Sequence, residues 1–549
     1  MPVLSEKDNN FSKIKIFFII IIPLMAIVFS CSYLVIRTAI FIISDYKWYE
    51  KTAAFFLLAA EAFILMHGIG YFQEIYRVLK RGKKFISFEE DVKNPENYPP
   101  IAVIVTSYKE PLEVVEKTIT CFYNLTYPNK FLYFLDDTKT DLPDKDPESA
   151  KKYKADVEEL CKRVGVDLFR RKWRGAKAGI INDFVNFVEG KKDENFKFYN
   201  YSGKKPEKPK YIVIFDADQN AFPSFAEPLV ARMENNPELA FIQTPQYYTN
   251  FEKNRVARAS GFQQAVFYEY ISEGKGIEEA MFACGTNIII RYDALLDVGG
   301  FEEKSVTEDF ATSLKFHIKG WKSAYYNKAM AFGMGPEDLG SYFKQQGRWA
   351  HGTISLFRII AAQFFKNPAK LPFAIWWEYF LSSTYYFIGL VFIVLVLCPV
   401  FYLLFKVPSY FVRPDIYVTF FIPYFLISLL VFYWTLYRRN YNFGDLLFGQ
   451  FLIGVTSPVY AKASILALLG FKAKFNVTAK SGSKSLRLTD IWVQILIALL
   501  CLAAFTTGLY RIFVIGDKQV WAIAVNMFWC AYHFFIMTTV FYFNNPEEK

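Results

Sequence analysis

The residues best suited to chemistry are carboxylates that follow short β-prone runs. Residues 101–106 lead into Ser107-Tyr108-Lys109-Glu110, residues 131–135 into Asp136-Asp137, and residues 211–215 into Asp216-Ala217-Asp218. Polar residues at the carboxyl ends of parallel strands lie on the edge where open α/β sheets bind ligands. Alternation along a strand points i and i+2 the same way, which suits Asp216 and Asp218 to sharing a divalent cation with a diphosphate. In Gly175-Ala-Lys177-Ala-Gly179 the small residues let backbone and the Lys177 ammonium approach a phosphate closely. Further on, Thr307-Glu308-Asp309 follows the turn Gly299-Gly300, and Gln345-x-x-Arg348-Trp349 opens a helix leading into apolar sequence. Each element alone also reads as a solvated loop or turn. Together they bring carboxylates, a guanidinium and an indole within reach of one site.

These segments belong to a block, residues 85–350, in which β-rich runs alternate with amphipathic helical stretches, the pattern of an α/β domain. Apolar blocks flank it, at 1–84 and 351–549. Residues 16–36 carry no charge, and as a helix they would extend about 30 Å, enough to cross a bilayer. Residues 52–72, interrupted by Glu61 and His67, form a second candidate, and the basic cluster Arg77, Lys80, Arg81, Lys83, Lys84 after it marks the cytoplasmic side. Four more runs follow at 374–405, 417–437, 491–513 and 520–543. The stretch 446–469, with Gly449, Gly454, Pro458 and Lys462, reads as an interfacial helix. Two plus four spans place both termini in the cytoplasm, in agreement with Lys13, Lys15, Arg438, Arg439 and the basic segment 472–487.

Composition supports this division. The 549 residues are 53% hydrophobic and 21% charged, too apolar for an ordinary soluble protein and too charged for a membrane bundle alone. With 58 Phe and 36 Tyr against 28 Gly and 24 Pro, the chain is neither disordered nor collagen-like. The net charge of +10 comes with Lys/Arg clusters beside apolar runs rather than a nucleic-acid motif, so no nucleic-acid partner is expected. Seven Cys without C-x-x-C spacing and four His imply neither disulfides nor zinc, which leaves oxygen ligands for any metal.

Asp136-Asp137, Asp216-Ala-Asp218, Thr307-Glu308-Asp309 and Gln345-Gln-Gly-Arg348-Trp349 occur in the order found in processive family-2 glycosyltransferases. The chain specifically resembles the catalytic subunits of bacterial cellulose synthases. Phe282-Ala-Cys284-Gly285-Thr286 lies near their F-F-C-G-S element, and Phe475-Asn-Val477-Thr478-Ala-Lys480 matches their F-x-V-T-x-K gating loop. The resemblance spans roughly residues 50–545. It implies an α/β domain of the GT-A (nucleotide-diphospho-sugar transferase) fold in the cytoplasm, joined to a polytopic glycan channel of about six helices in the inner (plasma) membrane. Thr138, Gln219 and Ala283 depart from the family pattern, which leaves the sugar and linkage open. Too little sequence follows residue 543 for a cyclic-dinucleotide-binding barrel, so activation by that route is not expected.

The resemblance also implies roles. Asp218, assisted by Asp216, would hold Mg²⁺ or Mn²⁺ on the diphosphate, while Lys177, Gln345 and Arg348 bind the donor and add positive charge. Asp136 and Asp137, with Ser107 and Glu110 nearby, would hold the uridine, and Asp309 would be the general base. Trp349 would stack on the terminal acceptor sugar, with Cys284, Gly285, Thr307 and Glu308 beside it. The loop 475–487, containing Phe475, Val477, Thr478 and Lys480, would act as a lid. Aromatics from Trp376 to Phe387, with Glu61, His67 and Glu378 in apolar surroundings, suit a sliding sugar chain. The expected partners are a UDP-sugar donor, a growing polysaccharide acceptor, the lipid bilayer and accessory export subunits. The expected product is a β-glucan made from UDP-glucose and translocated across the membrane. Rival products are a mixed-linkage or β-1,3-glucan, a mannan, or a hyaluronan- or chitin-like polymer. Rival functions are single-sugar transfer to a lipid phosphate and non-catalytic glycan export.

Overall fold

In β1 (Ile101–Ser107), Ile101, Val103 and Val105 are buried on one face of a sheet and Ala102 and Ile104 on the other, so this strand needs cover on both sides. A computed structural model, which describes residues 13–86, 97–139, 147–252, 254–409, 414–471 and 484–545, supplies that cover. Helices Leu112–Tyr123, Pro147–Val164 and Ala226–Asn235 pack on the first face through Val115, Ile119, Val157 and Leu229. Helices Ala176–Val188 and Tyr292–Asp297 pack on the second through Ile180, Ile181, Phe184 and Leu295.

The remaining strands are β2 (Lys130–Asp136), β3 (Asp167–Arg170), β4 (Lys197–Tyr199), β5 (Tyr211–Asp216), β6 (Asn220–Ala221), β7 (Leu239–Gln243), β8 (Tyr247–Tyr248), β9 (Ile288–Arg291), β10 (Lys322–Tyr325) and β11 (Ala331–Gly333). Eight form the main sheet in the order β10-β7-β9-β5-β1-β2-β3-β4, and β6-β11-β8 form a small second sheet. In the main sheet β4 and β9 are antiparallel to their neighbours and the other six strands run one way. The order reverses around β1, whose neighbours are β2 on one side and β5 on the other. Crossover connections diverge there, which opens a crevice at the carboxyl ends of β1 and β5.

Seven helices among the described residues are long and apolar enough to cross a membrane: Ile21–Ile43, Trp48–Lys80, Phe373–Phe405, Asp415–Arg438, Phe443–Leu468, Trp492–Phe513 and Val520–Phe543. The sequence reading of about six becomes seven candidates because 443–468 is one continuous helix despite its glycines and Pro458. That helix is wedged between the two parts of the molecule. Leu452 and Val455 pack on Val256 and Ala259 of the α/β domain, and Arg258 pairs with Asp445 at 2.6 Å. Farther along, Tyr460 and Ala463 meet Tyr386 and Ile388.

Glu61, His67 and Glu378, in the apolar stretches, have partners. Glu61 accepts from Arg37 at 2.7 Å and from the Tyr33 hydroxyl at 2.9 Å, and the His67 ring contacts the carbonyls of Phe63 and Leu381. Glu378 is buried between Arg77 and Lys275, each 2.6 Å away, so it joins the second apolar helix to the α/β domain. Next to it, Tyr379 stacks on Phe310 with ring centroids 5.5 Å apart, and its hydroxyl lies 2.7 Å from His317 Nδ1. Trp376 and Trp377, read from sequence as possible sugar contacts, donate to the Pro368 carbonyl and the Gln73 side chain. Lys275→Met should destabilise the protein by about 3 kcal/mol, the cost of stranding a buried charge, and Lys275→Met/Glu378→Met should recover part of the loss. Thermal unfolding midpoints in detergent measure both.

Candidate active site

Strand direction decides which residues meet. Ser107 pairs in register with Asp136, Thr106 with Asp216, and Asp136 with Arg170, so the carboxyl ends of β1, β2, β3 and β5 are level. Because β9 runs the other way, the loop 282–287 that precedes it arrives at this same edge, where Ile288 lies opposite both Ile214 and Gln243. The helix starting at Glu308 and the helix Leu339–Lys366 close the crevice from the far side. The second helix approaches through Gly352, where an added Cβ would lie 2.6 Å from the Thr307 methyl carbon.

At the centre, Lys177 Nζ bonds the Asp216 carboxylate and donates to the Gly285 carbonyl at 2.7 Å, while the Asp216 amide donates to Thr286 Oγ1 at 2.9 Å. Asp216 is the last residue of β5 and the chain then turns, its carbonyl accepting from the Gln219 amide at 3.0 Å. Strand alternation therefore ends before Asp218. Asp216 keeps a 41% exposed side chain at the crevice, whereas Asp218 is buried near Tyr248.

Lys177 owes its position to Arg171, a residue the sequence reading did not single out. The buried Arg171 guanidinium bonds the carbonyls of Lys172, Arg174 and Ala176 and pairs with Asp137 at 3.0 Å and Asp183 at 3.2 Å. The loop before Lys177 is thus wound round a single cation and tied to the end of β2. Arg174 adds ion pairs to Asp183 and Glu303.

Glu308 and Asp309 occupy the first turn of Glu308–Ile318, where unpaired amides favour negative charge, and the Phe310 amide donates to Asp309 Oδ1 at 2.8 Å. Burial and, after it, the neighbouring Glu308 nevertheless raise the Asp309 carboxyl, against the pull of the Phe310 amide, Lys177 and Arg348, to about 7. Glu308 is also raised, by burial, against the pull of Lys177 and Arg348. Gly285, at φ 83°, passes so close that a Cβ would lie 3.0 Å from Asp309 Oδ2. The loop around Gly285 is held by residues the sequence reading missed. Gln243 accepts from the Cys284 amide and donates to the Thr286 carbonyl, both at 2.8 Å, Gln246 donates to the Cys284 carbonyl, and Ser313 Oγ bridges the Ala283 amide and the Asp309 carbonyl. The available signal was Gln243-Thr-Pro-Gln246 directly after a buried apolar strand.

The other predicted residues have mixed placements. Asp136 accepts from Arg170 at 2.8 Å and from the Thr138 amide, and Asp137 faces Arg171, with burial the main cause raising its carboxyl to about 7. The Ser107 hydroxyl and the Tyr108 amide both donate to Glu110. Gln345, Arg348 and Trp349 are half-buried and begin two turns into their helix rather than opening it, and Gln345 Oε1 is a buried acceptor without a hydrogen bond among the described residues. Phe475, Val477, Thr478 and Lys480 lie outside the described residues. The flanking segments rest on the helix bearing Trp349, through His351 Nε2 against the Phe471 carbonyl at 2.8 Å and Leu486 against Gly340.

Among the described residues no three His, Cys, Asp or Glu side chains could together hold a metal. Asp216 and Asp218 can supply one or two carboxylate oxygens, a donor set that fits Mg²⁺ or Mn²⁺ when a diphosphate and water complete the shell. A carboxyl raised to about 7 stays protonated up to that pH in the folded chain but ionises above about 4 in the unfolded one, so it opposes folding increasingly as pH rises from about 4 to about 7. Asp309→Asn should therefore raise the thermal midpoint more at pH 8 than at pH 5, as differential scanning fluorimetry would record.

Residues 102–299 match the model for glycosyl transferase family 2, and residues 211–437 that for glycosyl transferase family group 2. The chain is 28% identical over 505 residues to the cellulose synthase catalytic subunit [UDP-forming] of Pseudomonas fluorescens (strain SBW25), covering 89% of this chain and 62% of that protein. It is 25% identical over 485 residues to putative cellulose synthase 2 of Komagataeibacter xylinus, covering 85% and 28%. The chain thus spans less than two thirds of the length of these relatives. Among solved structures, the mannosyltransferase PcManGT from Pyrobaculum calidifontis, in complex with GDP-Man and Mn²⁺, has a TM-score of 0.47 at 14% identity, over 75% of this chain and 99% of that one.

Proposed function

Because the chain belongs to glycosyltransferase family 2, with a GT-A domain joined to helices able to cross a membrane, we propose that it polymerises a β-glucan from UDP-glucose and exports it. The observation carrying this reading is the placement of Asp309, at a helix N-terminus, across the Gly285 turn from the Lys177–Asp216 pair. Breaking the bond from the anomeric carbon to a diphosphate leaves negative charge on the leaving group. Lys177 and Arg348 provide fixed positive charge for it without reorganisation. Asp216 and Asp218 would hold Mg²⁺ or Mn²⁺, which when bound neutralises the diphosphate further.

Asp309 takes the proton from the acceptor hydroxyl. Its raised pKa suits that task, because a base poised near neutral pH combines a useful ionised fraction with a strong pull on the proton. One displacement inverts the anomeric centre, so an α-linked donor yields a β-linked product. Asp136 is held by Arg170, which leaves uridine contacts to Asp137 and the Ser107–Glu110 turn. Trp349, with Phe282 packed 4.7 Å from Phe310, offers the acceptor sugar apolar faces at the junction with the membrane helices. The basic cluster at the end of the second apolar span supports an α/β domain in the cytoplasm, with the polymer leaving through the inner membrane. Accessory export subunits fit the far side of such a path.

Purified protein in nanodiscs, supplied in turn with UDP-glucose, UDP-N-acetylglucosamine and GDP-mannose under Mg²⁺ or Mn²⁺, should make long polymer from UDP-glucose alone, digestible by a β-1,4-glucanase. Asp309→Asn should abolish polymer and keep UDP binding; normal yield from it, or short lipid-linked products from the wild type, would falsify the reading. Arg171→Met should raise the donor KM about tenfold with a smaller change in kcat, since it frees the loop carrying Lys177 rather than touching the reacting atoms. Steady-state kinetics against UDP-glucose separate the two constants.

A further inference from the structure

A cavity of about 530 Å³ lies away from the catalytic crevice, where the first two apolar helices meet the α/β domain. One wall is apolar, made by Leu24 and Ile27 of the first helix and Ile277 of the domain, and the other carries Gln73, Tyr76 and Lys80 of the second helix. Arg77 and Glu278 also line it, 3.4 Å apart. The cavity sits at the membrane boundary, since the apolar span of the second helix ends at Lys80. Leu24 is 40% exposed and Val28, one turn further into the apolar span, 61%, so the apolar wall continues as an open face towards the bilayer.

The charges favour an anion. Arg77 is compensated by Glu74, Glu278 and Glu378. Lys80 is exposed, rests on the Tyr76 ring at 5.4 Å, and has no carboxylate partner among the described residues. In sequence it belongs to a basic run completed by Arg81, Lys83 and Lys84. An apolar wall open to lipid beside an uncompensated ammonium at the headgroup level fits an amphiphile with an anionic head.

We propose that this cavity binds one acidic phospholipid of the adjoining leaflet, its phosphate at Lys80 and Gln73 and an acyl chain along Leu24 and Val28. The lipid would bridge the membrane helices and the domain beside Arg77, whose other partner, Glu378, precedes the tyrosine stacked on Phe310. The binding claim does not depend on which glycan, if any, the crevice makes.

The test is native mass spectrometry of the full chain released from nanodiscs of phosphatidylcholine with one fifth phosphatidylglycerol. One phosphatidylglycerol should stay bound at collision energies that strip phosphatidylcholine. Lys80→Met should weaken its retention about fivefold, the effect of one surface cation. Ile277→Trp, which fills the cavity without removing charge, should abolish the retained species while the protein keeps its elution volume. Soluble glycerol 3-phosphate should not compete. Equal retention of the two lipids, unchanged retention in both variants, or displacement by glycerol 3-phosphate would each overturn the proposal.

Discussion

Negative charge crowded at one edge of the sheet is the constraint on which the rest of the molecule depends. Asp136, Asp137, Asp183, Asp216, Glu303, Glu308 and Asp309 surround a single crevice, and fixed cations are threaded among them. Arg170 serves Asp136, Arg171 serves Asp137 and Asp183, Arg174 serves Asp183 and Glu303, and Lys177 serves Asp216. All four cations come from one stretch, the end of β3, the loop after it and the first turn of the helix Ala176–Val188. The charges hold the loop, the loop places Lys177, and the crevice is in place before any ligand arrives. Asp309 stands at the limit of this compensation: burial and Glu308 outweigh Lys177, Arg348 and its own backbone bond, and its carboxyl rests near neutrality.

A second layer of contacts links that crevice to the membrane helices. Phe310 follows Asp309 and stacks on Tyr379, and His317 of the same helix contacts the Tyr379 hydroxyl. Glu378, one residue before, is held by Lys275 of the α/β domain and Arg77 of the second apolar helix. Buried ion pairs add little net stability compared with apolar packing, but they tolerate few alternative arrangements. Here they fix the segment bearing Tyr379, and with it the helix bearing Asp309 and Phe310, against the bundle.

Much of this was legible in the amino-acid order. The apolar runs at 417–437, 491–513 and 520–543 became helices Pro414–Arg438, Trp492–Phe513 and Val520–Phe543, because long uncharged stretches have few other ways to satisfy their backbone in lipid. Strands ending at Ser107, Asp136 and Asp216 were equally readable, since each apolar run stops abruptly at a polar residue. Stretch 446–469 was harder: glycines and a proline suggest interruption, yet packing against both the domain and the bundle keeps one helix intact. The turn after Asp216 ends the strand and leaves Asp218 buried, which spacing alone does not disclose.

By itself the sequence determined the inventory: which carboxylates and cations exist, that they sit at strand ends, and that apolar helices flank them. Those facts follow from local periodicity and from charge, which neighbours in the chain suffice to express. Tertiary structure alone decided the pairings. Arg171 reaches Asp137 because β3 lies level with β2, and Gln243 holds Cys284 because β9 runs against β7 and returns its leading loop to the shared edge, where Gly285 meets Asp309. Contacts between residues on different strands depend on strand order and direction, and no local pattern encodes either.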